Sequence, residues 1–155
     1  MTTSASTSLN DAWRLHAVRV PDAHPMPPEV AATVPGCVHT DLLAAGVIPD
    51  PFLDANELLV QWVADSDWVY VTTFSLPDDI LRHEHIELCF DGLDTLATIS
   101  LNGEVLGSTE NMHRTYRFDI ARRLVEGDNE LIVTFRSATR HCGSAASATA
   151  TPHPS

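Results

Sequence analysis

The chain has 155 residues, 44% of them hydrophobic, with a formal charge of −12 and nine basic residues, all Arg. That length suffices for one domain with a real core. Such an acidic balance excludes nucleic acid and anionic membranes as partners and leaves neutral polar ligands, sugars first among them. No apolar run approaches the roughly 20 residues that span a bilayer. The opening "MTTSASTSLNDAW" has neither a charged nor an apolar leader segment, so no signal peptide is expected. Three widely spaced cysteines, Cys37, Cys89 and Cys142, suggest neither a disulfide framework nor a zinc site, and a cytoplasmic location is the expectation.

Residues 1–11 are rich in Ser and Thr and are expected to be disordered. "WRLHAVRV" (13–20) reads as a first strand, and the proline-heavy "PDAHPMPPEV" as a loop barred from any central strand. "VPGCVHTDLLAAG" ends in a short helix with Gly46 just past its end. "DANELLVQW" reads as a second, started by an Asp54–Glu57 capping box, with Leu58, Leu59 and Trp62 on one packing face.

The pattern then turns to β. "DWVYVTTFSL", "HIELCFDG", "TLATISL", "EVLGST", "TYRFDI" and "NELIVTFRS" follow as short strands, with a single helical turn capped by Asp119 in "DIARRL". Ile86, Leu88 and Phe90 share one face of their strand; Cys89, set among apolar neighbours, is expected to be a core thiol. Asn102-Gly103 is a strong hairpin signal, because a type I′ turn needs positive φ at both positions. About seven strands at this spacing give an all-β sandwich or jelly roll, with two short helices in the N-terminal half. The small, polar segment 139–155 has no apolar period and is expected to be a disordered tail, leaving 12–138 as the domain.

Little in the chain points to chemistry of its own. There is no nucleophile elbow, P-loop or dinucleotide fingerprint. His83 and His85 lack a third ligand, so neither a metal nor a cofactor is expected. Trp13, Trp62 and Trp68 fit packing better than sugar stacking. The polar loop "STENMHR" is the best candidate site: Asn111 and His113 can donate and accept, and Arg114 offers a fork of donors. "PDPFLDANE" is a second candidate loop, with Asn56 as its binding residue.

Four blocks carry a resemblance: "VPGCVHTDLLAAGVIPDPF", "NELLVQWVADSDWVYVTTF", "FDGLDTLATISLNGEVLGSTENMHRTYRFDI" and "GDNELIVTF". In order and spacing they resemble the N-terminal sugar-binding domain of glycoside hydrolase family 2, in its β-mannosidase branch, across roughly Trp13 to Arg136. The resemblance implies a galactose-binding-like jelly roll that packs against an immunoglobulin-like domain and a (β/α)₈ barrel. The barrel would hold the two catalytic glutamates, about 5–5.5 Å apart for retaining chemistry. No residue here takes either role, so the isolated chain is expected to be inactive. The resemblance further implies that the loop after the Asn-Gly hairpin faces a β-mannoside or related sugar, with Asn111 nearest and Met112, His113 and Arg114 shaping the edge.

Family members continue into a Trp-Asp-Trp-Gly segment, whereas this chain changes composition near Thr139, which suggests a truncated or frame-shifted product. The alternative reading is a stand-alone interaction or lectin-like module that complements a separately encoded barrel.

Overall fold

A computed structural model describes residues 4–142. Eight strands form two antiparallel sheets. The larger is built from β1 (Trp13–Arg19), β2 (Val30–Ala32), β3 (Asp67–Phe74), β5 (Leu96–Leu101), β6 (Glu104–Thr109) and β8 (Asn129–Arg136), in the order β2-β1-β3-β8-β5-β6. The smaller pairs β4 (Glu87–Phe90) with β7 (Tyr116–Asp119). Three short helices join them: α1 (Val38–Ala44), α2 (Asn56–Ala64) and α3 (Asp78–Leu81). This is the all-β jelly-roll sandwich that the strand pattern called for. The strand β2 directly follows the proline-rich segment and lies at the sheet edge, where missing N–H donors are tolerated.

Register explains the core. Leu15, Tyr70, Val133 and Ile99 lie side by side across four strands, and Ala17, Trp68, Phe135 and Ala97 form the next row. Because side chains alternate along a strand, these rows share one face. That face is packed by Leu88 of β4, Ile120, Leu42 of α1, and Val60 and Val63 of α2. The buried Asp41 of α1 accepts the Thr33 N–H at 2.9 Å and faces the Tyr70 hydroxyl at 3.5 Å, which ties the helix to the sheet.

Several local expectations are corrected. The Leu58–Leu59–Trp62 stripe on α2 meets the core only through Trp62, which packs against the buried cluster with its ring 6.0 Å from that of Trp68. Val60 and Val63 are buried instead, while Leu58 and Leu59 are exposed. Trp62 is half-buried and stacks on His24 with centroids 3.8 Å apart. The Asp54–Glu57 capping box does not form: the N-cap is Ala55, with no side-chain bond. Asp50 organises that loop instead, its carboxylate accepting the Phe52 N–H at 2.9 Å and its carbonyl accepting from Asn56 Nδ2 at 3.0 Å.

Cys89 is not a core thiol. The two-stranded sheet buries only its Leu88 face, so Cys89 is exposed beside Arg117. Toward the C-terminus, residues 138–142 wind into a helical turn, so the expected boundary at 139 falls inside it. Arg140 in that turn pairs with Asp67, and Ser137 bonds to Asp67 and to the Ala64 carbonyl. At the other end the Leu9 carbonyl accepts from the indole of Trp13, inside the stretch expected to be disordered. Residues 1–3 and 143–155, which belong to the two expected disordered ends, lie outside the described residues.

Candidate functional site

The hairpin from β5 to β6 carries the candidate loop. Asn102 (φ 51°) and Gly103 (φ 82°) both take the left-handed conformation the turn demands. β6 then delivers the chain to 110–115, between the edge of the large sheet and β7.

Two hydrogen bonds shape the loop. Asn111 Oδ1 accepts the backbone N–H of His113 at 2.9 Å, a local turn made by the side chain itself. The Asn111 backbone N–H donates to the Tyr116 hydroxyl at 3.1 Å. The Arg114 guanidinium lies over the same tyrosine ring, 5.8 Å from its centroid, within cation–π range. One tyrosine therefore props both ends of the motif. Gly92 makes room from the other side: a Cβ there would sit 3.1 Å from the Met112 carbonyl oxygen.

Asn111, Met112, His113 and Arg114 are all exposed. The Asn111 carbonyl is used within the loop, which leaves its amide N–H groups to face outward as donors. With His113 and Arg114 beside it, the segment offers donors and an acceptor, the mixture that sugar hydroxyls need. It does not form a closed pocket. Two clefts of the described surface lie elsewhere, one between residues 7–12 and 72–77, the other beside Arg19, Asp65 and Arg140.

Asn56 stands apart. It opens α2, half-buried, and its side-chain amide donates to the Asp50 carbonyl. That bond folds the loop 50–56 and uses one of the two amide hydrogens, leaving the other and Oδ1. Among the described residues no cluster of three His, Cys, Asp or Glu is placed to hold a metal. His83 and His85 are exposed in the connection between α3 and β4. Sequence reasoning passed over Tyr116 and Gly92. Tyr116 and Gly92 read only as members of the strand blocks "TYRFDI" and "HIELCFDG"; neither signals a neighbour from another segment.

Two sheets in this order, with a polar loop at the rim of one hairpin, define a galactose-binding-like β-sandwich domain. Residues 13–154 match the family described as glycosyl hydrolase 2 galactose-binding domain-like, and the chain belongs to that family. The match runs past the change of composition at Thr139. The chain is 39% identical over 130 residues to β-mannosidase B of Thermothelomyces thermophilus, covering 84% of this chain and 15% of that protein. It is 40% identical over 113 residues to β-mannosidase of Mus musculus, covering 73% of this chain and 13% of that one. The crystal structure of β-D-mannosidase from Dictyoglomus thermophilum superposes with a TM-score of 0.83 at 39% identity, over 94% of this chain and 17% of that one. The β-glucuronidase of Ruminococcus gnavus, at 21% identity and a TM-score of 0.60, shares the fold. The chain thus spans about 15% of the length of the curated relatives it matches.

Proposed function

We propose that this chain is the non-catalytic carbohydrate-binding domain of a β-mannosidase-type glycoside hydrolase, and that residues 111–114 contribute one wall of its sugar site. The observation that carries this reading is similarity to β-mannosidases at 35–40% identity over most of the chain. The loop supports the sugar-facing part. It is polar, exposed and propped by Tyr116. The whole enzyme would hydrolyse terminal β-D-mannosides with a pair of carboxylates carried outside this domain. Asn111 is the residue nearest the sugar in this reading, with His113 and Arg114 as flanking donors and Met112 as apolar contact. Asn56, whose amide gives one hydrogen bond to Asp50, is a second contact in this reading.

We further place the protein in a reducing compartment, the cytoplasm: Cys37, Cys89 and Cys142 are free and exposed. No helix of the described residues is long and apolar enough to cross a membrane.

Saturation-transfer NMR on the 155-residue chain tests the sugar reading. Transfer to methyl β-D-mannopyranoside is expected from the native chain and not from an Asn111→Ala variant. Equal transfer from both, or none from either, counts against it.

A further inference from the structure

Five asparagines stand in the chain, and only Asn102 is followed by glycine. That pair is chemically distinct. A side chain on the following residue shields its backbone nitrogen from the asparagine amide, and glycine has none. Asn102 and Gly103 form the exposed tip of the β5–β6 turn, and nothing lies within 4 Å of the place a Gly103 Cβ would take. The Gly103 nitrogen is therefore uncrowded for the reaction that Asn-Gly pairs undergo in water. It attacks Cγ of the asparagine and closes a succinimide ring.

The fold holds the same side chain out of that reaction. Asn102 Oδ1 accepts the Glu130 N–H at 2.9 Å. Its Nδ2 donates to the Arg123 carbonyl at 2.8 Å and to Asn129 Oδ1 at 2.9 Å. A carboxamide has two N–H donors, and both are used. The Asn102 backbone N–H is pinned as well, to the Glu130 carbonyl at 2.9 Å. Ring closure needs Cγ to swing off these partners, which lie on β8 and the segment before it, and to fold back on its own chain. Asn129 among them is fully buried. The hairpin and β8 must part first.

We propose that Asn102–Gly103 is a deamidation site gated by these side-chain bonds, silent in the folded domain and released when the hairpin lifts off β8. The step balances with water alone. Base takes the Gly103 N–H proton, the nitrogen bonds to Cγ, and the Cγ–Nδ2 bond breaks as ammonia leaves. Water then opens the ring at either carbonyl, giving aspartate or isoaspartate at 102. Neither product fits the turn. Aspartate sets a carboxylate against the Arg123 carbonyl and Asn129 Oδ1, where an amide donated to both. Isoaspartate adds a methylene to the main chain of a turn whose strands are in register at Leu101 and Glu104. A chain that has opened and reacted does not return to its former state, so the modification marks it irreversibly.

Peptide mass spectrometry of the 155-residue chain held in alkaline buffer reads the site directly. Deamidation at Asn102 is expected to run at least about tenfold slower in the folded chain than in the same buffer with denaturing urea. Equal rates overturn the proposal. Asn129→Ala removes one partner of Nδ2 and should raise the folded rate at least about threefold. Gly107→Ala, on the same hairpin, touches none of the three side-chain bonds. At urea concentrations that give the two variants equal stability, Asn129→Ala should still react faster; equal rates there assign the gate to global unfolding and overturn the proposal. Asn102→Asp carries the aspartate product from the start and does not depend on the folding of the Asn129 variant. Its urea midpoint should fall below the native one, and an unchanged midpoint overturns the proposal.

Discussion

Asn102 donates its side-chain Nδ2–H to Oδ1 of Asn129 over 2.9 Å, joining the turn of the β5–β6 hairpin to the first residue of β8. Asn129 is fully buried. Its Oδ1 also accepts the Val125 N–H at 2.8 Å, and its Nδ2 donates to the carbonyls of Val125 and Gly127 at 3.0 and 3.2 Å. The turn before β8 is therefore built around one amide. Replacing Asn129 by Ala leaves the Val125 N–H without its acceptor and removes these bonds together. Urea denaturation should show a loss of about 2–4 kcal/mol.

Asn102 has two separable roles. Its φ of 51° suits the turn, and its side chain bonds to Asn129, to the Arg123 carbonyl at 2.8 Å and to the Glu130 N–H at 2.9 Å. Asn102→Gly keeps the backbone freedom and loses the bonds. Asn102→Ala loses both, so it should be less stable than Asn102→Gly by about 1 kcal/mol. Thermal melts of the two variants check the order.

Gly107 lets the two sheets approach. A Cβ there would lie 2.8 Å from Cε1 of Phe118, across the interface between β6 and β7. Gly107→Ala should cost about 1–3 kcal/mol, because the ring must move. Adding Phe118→Leu should recover part of that loss. A double-mutant cycle with no coupling between the two would refute the contact.

Tyr70 makes a prediction about alkaline pH. Burial first, and the nearby Asp41 carboxylate second, hold its phenol well above the ordinary value of 10.0. Above that pH the unfolded chain loses a proton that the folded chain keeps. The folded state then binds more protons, so stability falls as pH rises. Denaturation midpoints taken from pH 9 upward should decline less steeply in Tyr70→Phe than in the native chain. His39 acts at the other end. Burial lowers its pKa below 6.5, so stability should fall as the pH drops through that value, and His39→Gln should flatten the decline.

The sheet was legible in the sequence because alternation reports which face is buried, and Leu88, Ile99 and Val133 all obey it. The turn was legible because Asn-Gly has a conformational reason of its own. The facing of α2 was not. That helix carries apolar residues at 58, 59 and 62 and also at 60 and 63, and a period cannot say which set meets the core. Cys89 misled for a related reason: an apolar neighbourhood in sequence is not burial when the sheet has only one covered face. The second role of Asn102 was hidden because Asn129 and Glu130 are 27 and 28 residues away. In the loop, Asn111 to Arg114 were visible as a polar cluster. Their support by Tyr116 and the clearance at Gly92 needed coordinates.

The most direct test of the central claim is a residue-resolved NMR titration of the ¹⁵N-labelled chain with methyl β-D-mannopyranoside. For one wall of an incomplete site, affinity should be weak, roughly millimolar, or about −4 kcal/mol. Shift changes are expected at the amides of 110–116 and absent from the same titration of Asn111→Ala. A spectrum that does not move, or one that moves only at the clefts beside Phe74 or Arg140, would contradict the account.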